Sequence, residues 1–292
     1  TIRDITDDMI KDTVLEHLYR LEDRSIYNYF ADKTKLFKED HLSFLSKIDP
    51  MFVRDDENTA YLYYQNCAVK VTKNGYETID YMDIEGFVWE AQKIGRNFTK
   101  VDGSNAVFKQ FIARIGGGEE DRIHSIESTA GYLMHSYKPS GYCPAVIIND
   151  EVISDNPEGG TGKGIYMHAV SQIKKNVIID GKGFSFNKSF AYQRVSADTQ
   201  LLTFDDVTKN FEFERLFPVI TEGVTLEKKN KDEIFIPFKD SPKIVITTNY
   251  AIKGTGNSFD RRKWELEFAQ HYNKNFTPED EFGHQLFSGW DD

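Results

Sequence analysis

The stretch SDNPEGGTGKGIYMHAV, residues 154–170, is a glycine-rich loop that leads into a helical pattern. Backbone N–H groups can turn inward around a phosphate where the residues tolerate unusual dihedral angles, as glycine does. A lysine and the positive end of a helix complete such a site. The stretch therefore predicts a nucleotide-binding loop, whose cradle comprises Gly159, Gly160, Thr161, Gly162, Lys163 and Gly164.

The loop departs from the common phosphate-loop pattern, G-x-x-x-x-G-K-[ST], at two positions. Pro157 stands where the first glycine is expected, and Gly164 replaces the hydroxyl residue that contacts Mg²⁺. Taken alone, a glycine-rich turn without a ligand is an alternative interpretation. We expect nucleotide binding, with hydrolysis slowed by the missing hydroxyl. We do not assume that the hydroxyl of Thr161 replaces it.

Polar side chains follow two apolar strand patterns downstream of the loop. LLTFDDV places Asp205 and Asp206 near its end, about forty residues after Lys163, and SPKIVITTN ends on Asn249, about forty residues later. A single acid or amide at a strand end is often a turn residue. In this order and at the carboxyl ends of strands, where α/β sheets bind ligands, the three predict metal binding and water positioning for phosphoryl transfer.

Two further segments carry positive charge. SFDRRKWELEF places Arg261 and Arg262 before a strand, where an arginine could reach the γ-phosphate of a neighbouring subunit or form a surface ion pair. A predicted hairpin concentrates three lysines at its turn, which could grip nucleic-acid phosphates or be a solvated cluster. The net charge of −11 excludes a broad basic face, so any such contact is local. The hairpin lysines are Lys228, Lys229 and Lys231.

The rest of the 292 residues predicts a mixed α/β chain. We expect a helix in the first forty residues, a small sheet with a tight turn at Asn74-Gly75, a helix over 85–115, a break at 115–122 and a helix over 126–137. The strand that feeds the loop is either 146–148 or 152–153. Beyond the loop, strands alternate with helices, which implies a mostly parallel sheet with covered faces.

Composition also limits the cellular compartments in which we expect this chain. No apolar run is long enough to span a membrane, and the first residues do not form a signal peptide. Cys67 and Cys143 lack metal-ligand spacing, which fits a reducing cytoplasm. Scattered histidines argue against a zinc site. In the tail, Phe282, Leu286, Phe287 and Trp290 have helix-like spacing and predict a segment that docks on the core.

The order of these motifs resembles that of superfamily 3 helicases, most of all the helicase part of phage and plasmid primase-helicases. The resemblance is strongest over 126–268. It implies an AAA+-type P-loop ATPase that uses ATP and Mg²⁺ and moves along single-stranded nucleic acid as a homo-oligomeric ring, hexameric in the resembling family. The sequence leaves DNA and RNA open, and we take single-stranded DNA as the partner. The implied roles are Lys163 for the β/γ-phosphates, Asp205 for the metal, Asp206 for the water, Asn249 as sensor, and Arg262 as arginine finger with Arg261 in reserve.

On this basis we divide the chain into a helical and β accessory region, 1–122, an ATPase core, 123–270, and a docking tail or the start of a further domain, 271–292. The first functional hypothesis is an ATP-dependent replicative DNA helicase of a phage or mobile element, which would work in the cytoplasm of a bacterial host. The alternative is a nucleotide-binding assembly module with a weakened ATPase that recruits a primase or another replisome partner. A small-molecule phosphotransferase ranks third, since it would need neither the lysine hairpin nor an arginine from a neighbour.

Overall fold

The structure is a computed structural model that describes residues 1–21, 24–46, 48–153, 159–227 and 233–288. The chain forms two compact units, Thr1–Val53 with Ile84–Glu90, and Arg54–Asp83 with Ala91–Asp292. The boundaries that the sequence suggests, after residues 122 and 270, both fall inside the second unit. They stay predictions.

The first unit is mainly helical. The sequence predicts one helix in the first forty residues, and the structure has more than one there. Helix α1 spans Asp7–Arg20, α2 spans Arg24–Asp32 and the short α3 spans Glu39–Leu42. The Thr6 hydroxyl caps α1 by accepting the Met9 N–H at 3.3 Å, and acids in the first turn complement the helix dipole. The segment Ile84–Glu90 joins this unit through the stacked rings of Phe52 and Trp89, 4.5 Å apart.

The second unit begins with a small antiparallel sheet, which confirms the predicted hairpin. Its strands are β1, Thr59–Tyr63, β2, Ala68–Thr72, and β3, Gly75–Ile79, in that order. Thr72 pairs with Gly75, so two residues form the turn between β2 and β3. Val69 of β2 packs in a small buried cluster with Tyr64 and Ile94.

The helix predicted over 85–115 is wrong for most of its length. Helix α4 covers Val107–Ile115, preceded by a 3-10 turn at Glu90–Gln92. The intervening segment is rich in glycine and polar turn formers, and the Asp102 carboxylate accepts the Ser104 N–H at 3.0 Å, a local bond that competes with helix formation. Helix α5 then spans Glu120–Met134, so it starts and ends earlier than the predicted 126–137.

A parallel five-stranded sheet forms the centre of the second unit and confirms the predicted α/β class. Its strands lie in the order β10-β4-β9-β6-β5. They span Ala145–Asp150 for β4, Asn176–Asp180 for β5, Leu201–Val207 for β6, Lys243–Thr248 for β9 and Lys263–Phe268 for β10. β4 and β9 are buried along their whole length, because both faces of the sheet are covered.

The strand that feeds the loop is therefore β4, which contains the first of the two predicted candidates. Val152 and Ile153 lie outside it and are exposed. Along β4, Val146 and Ile148 belong to one apolar core, and Ala145 and Ile147 to the other. This alternation places the end of β4 between two packed layers and fixes the start of the loop.

The remaining elements cover and extend the sheet. They are α6, Lys163–Ser171, α7, Phe217–Thr221, the hairpin of β7, Gly223–Leu226, and β8, Ile234–Pro237, then α8, Asn257–Asp260, and α9, Pro278–Phe282. In the tail, Leu286 is buried and Phe282 and Phe287 pack beside it, as predicted, while Trp290 lies outside the described residues. Within the described ranges, every helix is too short or too polar to cross a membrane.

Candidate functional site

The glycine loop lies at the carboxyl edge of the sheet, between β4 and α6. Gly159, Gly160 and Gly162 have φ angles of 69°, 82° and 104°, in the left-handed region that favours glycine. A Cβ at Gly162 would lie 2.8 Å from the ring of Phe111, so this position excludes any larger residue. Residues 154–158, which include Pro157, lie outside the described residues. These left-handed glycines are compatible with a phosphate cradle.

Lys163 is the first residue of α6 and is nearly buried. Its ammonium group forms an ion pair with Asp150, donates to Asn249 Oδ1 at 2.7 Å and lies 3.2 Å from Thr161 Oγ1. The structure thus brings together the predicted lysine and the predicted sensor residue. It adds Asp150, the last residue of β4, which the sequence analysis did not identify.

The paired acids lie at the end of β6, where the strand becomes irregular between Phe204 and Val207. Asp206 has a positive φ of 54°, a conformation that is unusual for a residue other than glycine. Its carboxylate accepts from Asn249 Nδ2 at 3.1 Å and pairs with Lys182. A continuous chain of contacts therefore links Lys163, Asn249 and Asp206.

Thr247, on the neighbouring strand β9, joins the two acids. Its hydroxyl donates to Asp205 Oδ1 at 2.6 Å and accepts the Asp206 N–H at 2.8 Å. The first of these bonds engages Oδ1 of the Asp205 carboxylate. Thr247 and Lys182 were missed at the sequence level, although the double threonine before Asn249 was a usable signal.

The carboxylates of this site fit Mg²⁺ only together with the phosphates of a bound nucleotide. Among the described residues no three His, Cys, Asp or Glu side chains come together to hold a metal ion. Mg²⁺ is commonly bound by one or two carboxylates together with substrate phosphates and water, which matches Asp205 and Asp206 beside a phosphate loop. In the described part of the loop, 159–164, Gly164 has no side chain to offer a metal, and the Thr161 hydroxyl donates to Asp150 at 2.5 Å.

The two arginines lie at the opposite edge of the sheet. The Arg262 carbonyl accepts the N–H of Ala145, the first residue of β4, whereas the loop follows Asp150 at the other end. A parallel strand rises about 3.3 Å per residue, so the length of β4 puts roughly 16 Å between the two edges. The structure does not bring Arg261 or Arg262 to the Lys163 of the same chain.

Arg262 is held against its own chain. Its guanidinium lies 4.6 Å from the ring of Phe217, and Nη1 donates to the Ser258 carbonyl at 2.8 Å. Burial lowers the pKa of Arg262, and neighbouring Arg261 lowers it further. Nε is buried and has no hydrogen-bond partner among the described residues. Arg261 is exposed, so the reserve candidate is the more accessible arginine in this arrangement.

The predicted lysine hairpin is described only in its two arms. Lys228, Lys229 and Lys231 lie outside the described residues, between β7 and β8. The described arms form the predicted antiparallel pair, from Gly223 with Pro237 to Leu226 with Ile234. Ile234 and Phe235 are exposed on the second arm.

Comparison with known proteins gives a family match over part of the chain. Residues 156–262, which contain the loop, the acids, Asn249 and both arginines, match a family of unknown function, DUF5906. No curated protein matches the sequence.

Similar solved structures include the C-terminal region of NrS-1, with 14% identity and a TM-score of 0.43 over 78% of this chain. They also include JCV helicase, with 15% identity and a TM-score of 0.36 over 56% of this chain and 46% of that chain. The chain spans 63% of the NrS-1 region. At these levels of similarity the matches establish no shared activity.

Proposed function

We propose that this chain is the ATPase core of a ring-forming DNA helicase, of the kind found in superfamily 3. The observation that carries the proposal is the contact chain from Lys163 through Asn249 to Asp206, at the carboxyl edge of a parallel sheet and beside a glycine loop. Structural ion pairs need no such sequence of lysine, amide and paired acids around a loop with left-handed glycines. Phosphoryl transfer from a nucleotide needs each of these groups.

Each group has a defined task in ATP hydrolysis. The loop N–H groups and Lys163 bind the β- and γ-phosphates. Asp205 would hold Mg²⁺, and the metal would supply neutralisation of charge on the phosphate oxygens. Asp206 and Asn249 orient a water molecule whose oxygen attacks the γ-phosphorus. The bond to the β–γ bridging oxygen breaks, ADP leaves, and the proton of the water passes to phosphate or to Asp206.

The position of the arginines supports assembly into a ring. Arg261 and Arg262 lie at the edge of the sheet away from their own loop, so either one can complete only a neighbour's site. An arginine supplied in this way neutralises charge in the transition state. The proposal therefore includes a homo-oligomer, a hexamer in the resembling family, whose active sites lie between subunits.

Single-stranded DNA is the proposed track. The support is the sequence of the hairpin, in which Lys228, Lys229 and Lys231 concentrate charge in a chain of net charge −11. Lysines at a turn can contact phosphates without reading bases, as a translocating motor requires.

The competing function is an assembly module that binds nucleotide with little turnover and recruits a primase or another replisome partner. Gly164, which deprives Mg²⁺ of a hydroxyl ligand, favours it. The measurement that separates the two is ATP turnover with and without single-stranded DNA, with Asp206→Asn as the inactive control. DNA-stimulated turnover supports the motor. Nucleotide binding with neither basal nor stimulated turnover supports the assembly module, and absence of binding rejects both.

A further inference from the structure

Every proton of the Lys163 ammonium group has an acceptor nearby before any phosphate arrives. The three acceptors are the Asp150 carboxylate, Asn249 Oδ1 at 2.7 Å and Thr161 Oγ1 at 3.2 Å. A lysine ammonium has three donors, so this set satisfies it. A nucleotide must therefore displace at least one of these acceptors in order to bind Lys163.

Of the three, Asp150 is the acceptor with a full charge and the most constrained position. It ends the fully buried strand β4, where it pairs with Phe268 of β10, and its side chain is 9% exposed. The same oxygen that faces Lys163 also accepts the Thr161 hydroxyl at 2.5 Å. A buried carboxylate without a partner is costly, so Asp150 keeps a share of the Lys163 charge when a ligand binds.

We infer that Asp150 is a built-in counter-ion that competes with the nucleotide for Lys163 and weakens nucleotide binding; this inference rests on the proposed function. Two effects act in the same direction. The carboxylate reduces the net positive charge that the phosphates meet, and it repels them directly in a partly dehydrated site. Asp150 is a positioning residue, because it acts through Lys163 and Thr161. Because Asp150 weakens nucleotide binding, we expect it to speed the release of ADP at the end of each catalytic cycle.

The test is the isosteric variant Asp150→Asn, which keeps an oxygen acceptor for Thr161 and Lys163 but removes the charge. We expect it to bind ATP, ADP and inorganic tripolyphosphate about tenfold more tightly than the wild type, because the substitution removes one negative charge that repels the phosphates. Isothermal titration gives the affinities. Stopped-flow displacement of a fluorescent ADP gives the dissociation rate, which should fall by a similar factor.

Glu151→Gln is the matched control, because it removes an acid from the adjacent position. Glu151 lies on the surface and pairs with Arg122, so its removal should leave all three affinities unchanged. Damage to the fold can weaken binding but cannot tighten it, so the expected result has no trivial structural explanation. If Asp150→Asn does not fold, the smaller uncharged variant Asp150→Ser gives the same test.

The outcomes separate this inference from the proposed function. Equal or weaker binding by a folded uncharged variant, with a wild type that binds ATP, overturns the counter-ion role alone. If neither protein binds ATP or tripolyphosphate, both the inference and the nucleotide site are wrong.

Discussion

The two edges of the five-stranded sheet carry buried lysines in opposite chemical settings. At the carboxyl edge, Lys163 pairs with the Asp150 carboxylate. At the amino edge, Lys243 begins β9 and donates to the carbonyls of Tyr132, in the last turn of α5, and of His135, the C-cap of that helix. Nearby, Lys138 donates to the carbonyl and hydroxyl oxygens of Ser241.

The difference lies in what a ligand could change. Carbonyl oxygens at a helix C-terminus stabilise a cation through fixed partial charges, so Lys243 is part of the architecture of the fold. These partners compensate burial incompletely, and burial lowers the pKa of Lys138 and of Lys243 to about 8. Lys163 instead has a charged partner and neighbouring polar groups that an incoming phosphate can replace. Burial alone therefore does not distinguish a functional lysine from a structural one; the partners do.

The largest expected effect connects the two edges through a second subunit. Arg262→Ala should lower ATP turnover about a thousandfold, the usual contribution of an arginine finger, and mixing it with Lys163→Ala protein should restore part of the activity. Mixed rings contain interfaces that pair an intact loop with an intact arginine. Turnover of the mixture at constant total protein is the measurement, with Arg261→Ala tested in parallel. Mixed rings that form and stay inactive would disprove action in trans by Arg262.

Removal of each lysine tests the contrast directly. Lys163→Ala should weaken ATP binding roughly a hundredfold or more, because charge-assisted hydrogen bonds of about 1.5–3 kcal/mol each are lost. Lys243→Met should leave ATP affinity unchanged and reduce stability. Titration calorimetry and urea unfolding measure the two effects. Because Lys163→Ala leaves Asp150 buried without its cation, the double variant Lys163→Ala/Asp150→Asn serves as the folded control and is compared with Asp150→Asn alone. Equal ATP affinity of these two variants would refute the assignment.

The pH dependence of stability should come from the amino edge. Lys138 and Lys243 have pKa values of about 8 in the folded protein, against about 10.4 in an unfolded chain. Between pH 8 and 10 the unfolded state therefore binds more protons, and the free energy of unfolding rises with pH. Each lysine should add about 2 kcal/mol between pH 7.5 and 9.5.

Urea unfolding at those two pH values checks this expectation. The environment of Lys243 also contains Cys143, Lys138, Lys174 and Asp55, so the difference between wild type and Lys243→Met is the relevant quantity. In Lys243→Met the free energy of unfolding should rise less between these two pH values than in the wild type, because the contribution of Lys243 is absent. An unchanged rise would show that Lys243 is not the titrating group.

The smallest expected effect lies at the carboxyl edge. Gly164→Ser should raise magnesium-dependent turnover several-fold, since it supplies the hydroxyl that phosphate loops use for the metal. A Cβ at this exposed position meets no atom within 4 Å, and serine is a better helix former than glycine by about 0.5 kcal/mol. Steady-state turnover across a magnesium titration is the measurement, with Gly164→Ala as the control without a hydroxyl. Lower turnover in a folded serine variant would indicate that the site is adapted to glycine.

Local sequence patterns predicted most strands of the sheet and several residues of the candidate site. Strands such as KIVITT and LLTFDDV are apolar runs with a polar end, and a parallel sheet presents such ends at one edge. Asp205, Asp206, Asn249 and Lys163 could be grouped for this reason. The pattern failed over 85–106, where turn-forming side chains override a weak helical periodicity. The pattern did not distinguish whether 146–148 or 152–153 is the strand that leads into the loop, because both segments are short and apolar.

By itself the sequence determined the loop, the polar strand ends and the α/β class, since each depends on residues close together in the chain. Only the tertiary structure decided that β9 lies between β4 and β6, and this strand order brings Asn249 and Thr247 against the lysine and the acids. It also decided that Asp150 faces Lys163, and that the arginines lie at the far edge. Strand order is set by packing between segments far apart in sequence, which no local periodicity encodes.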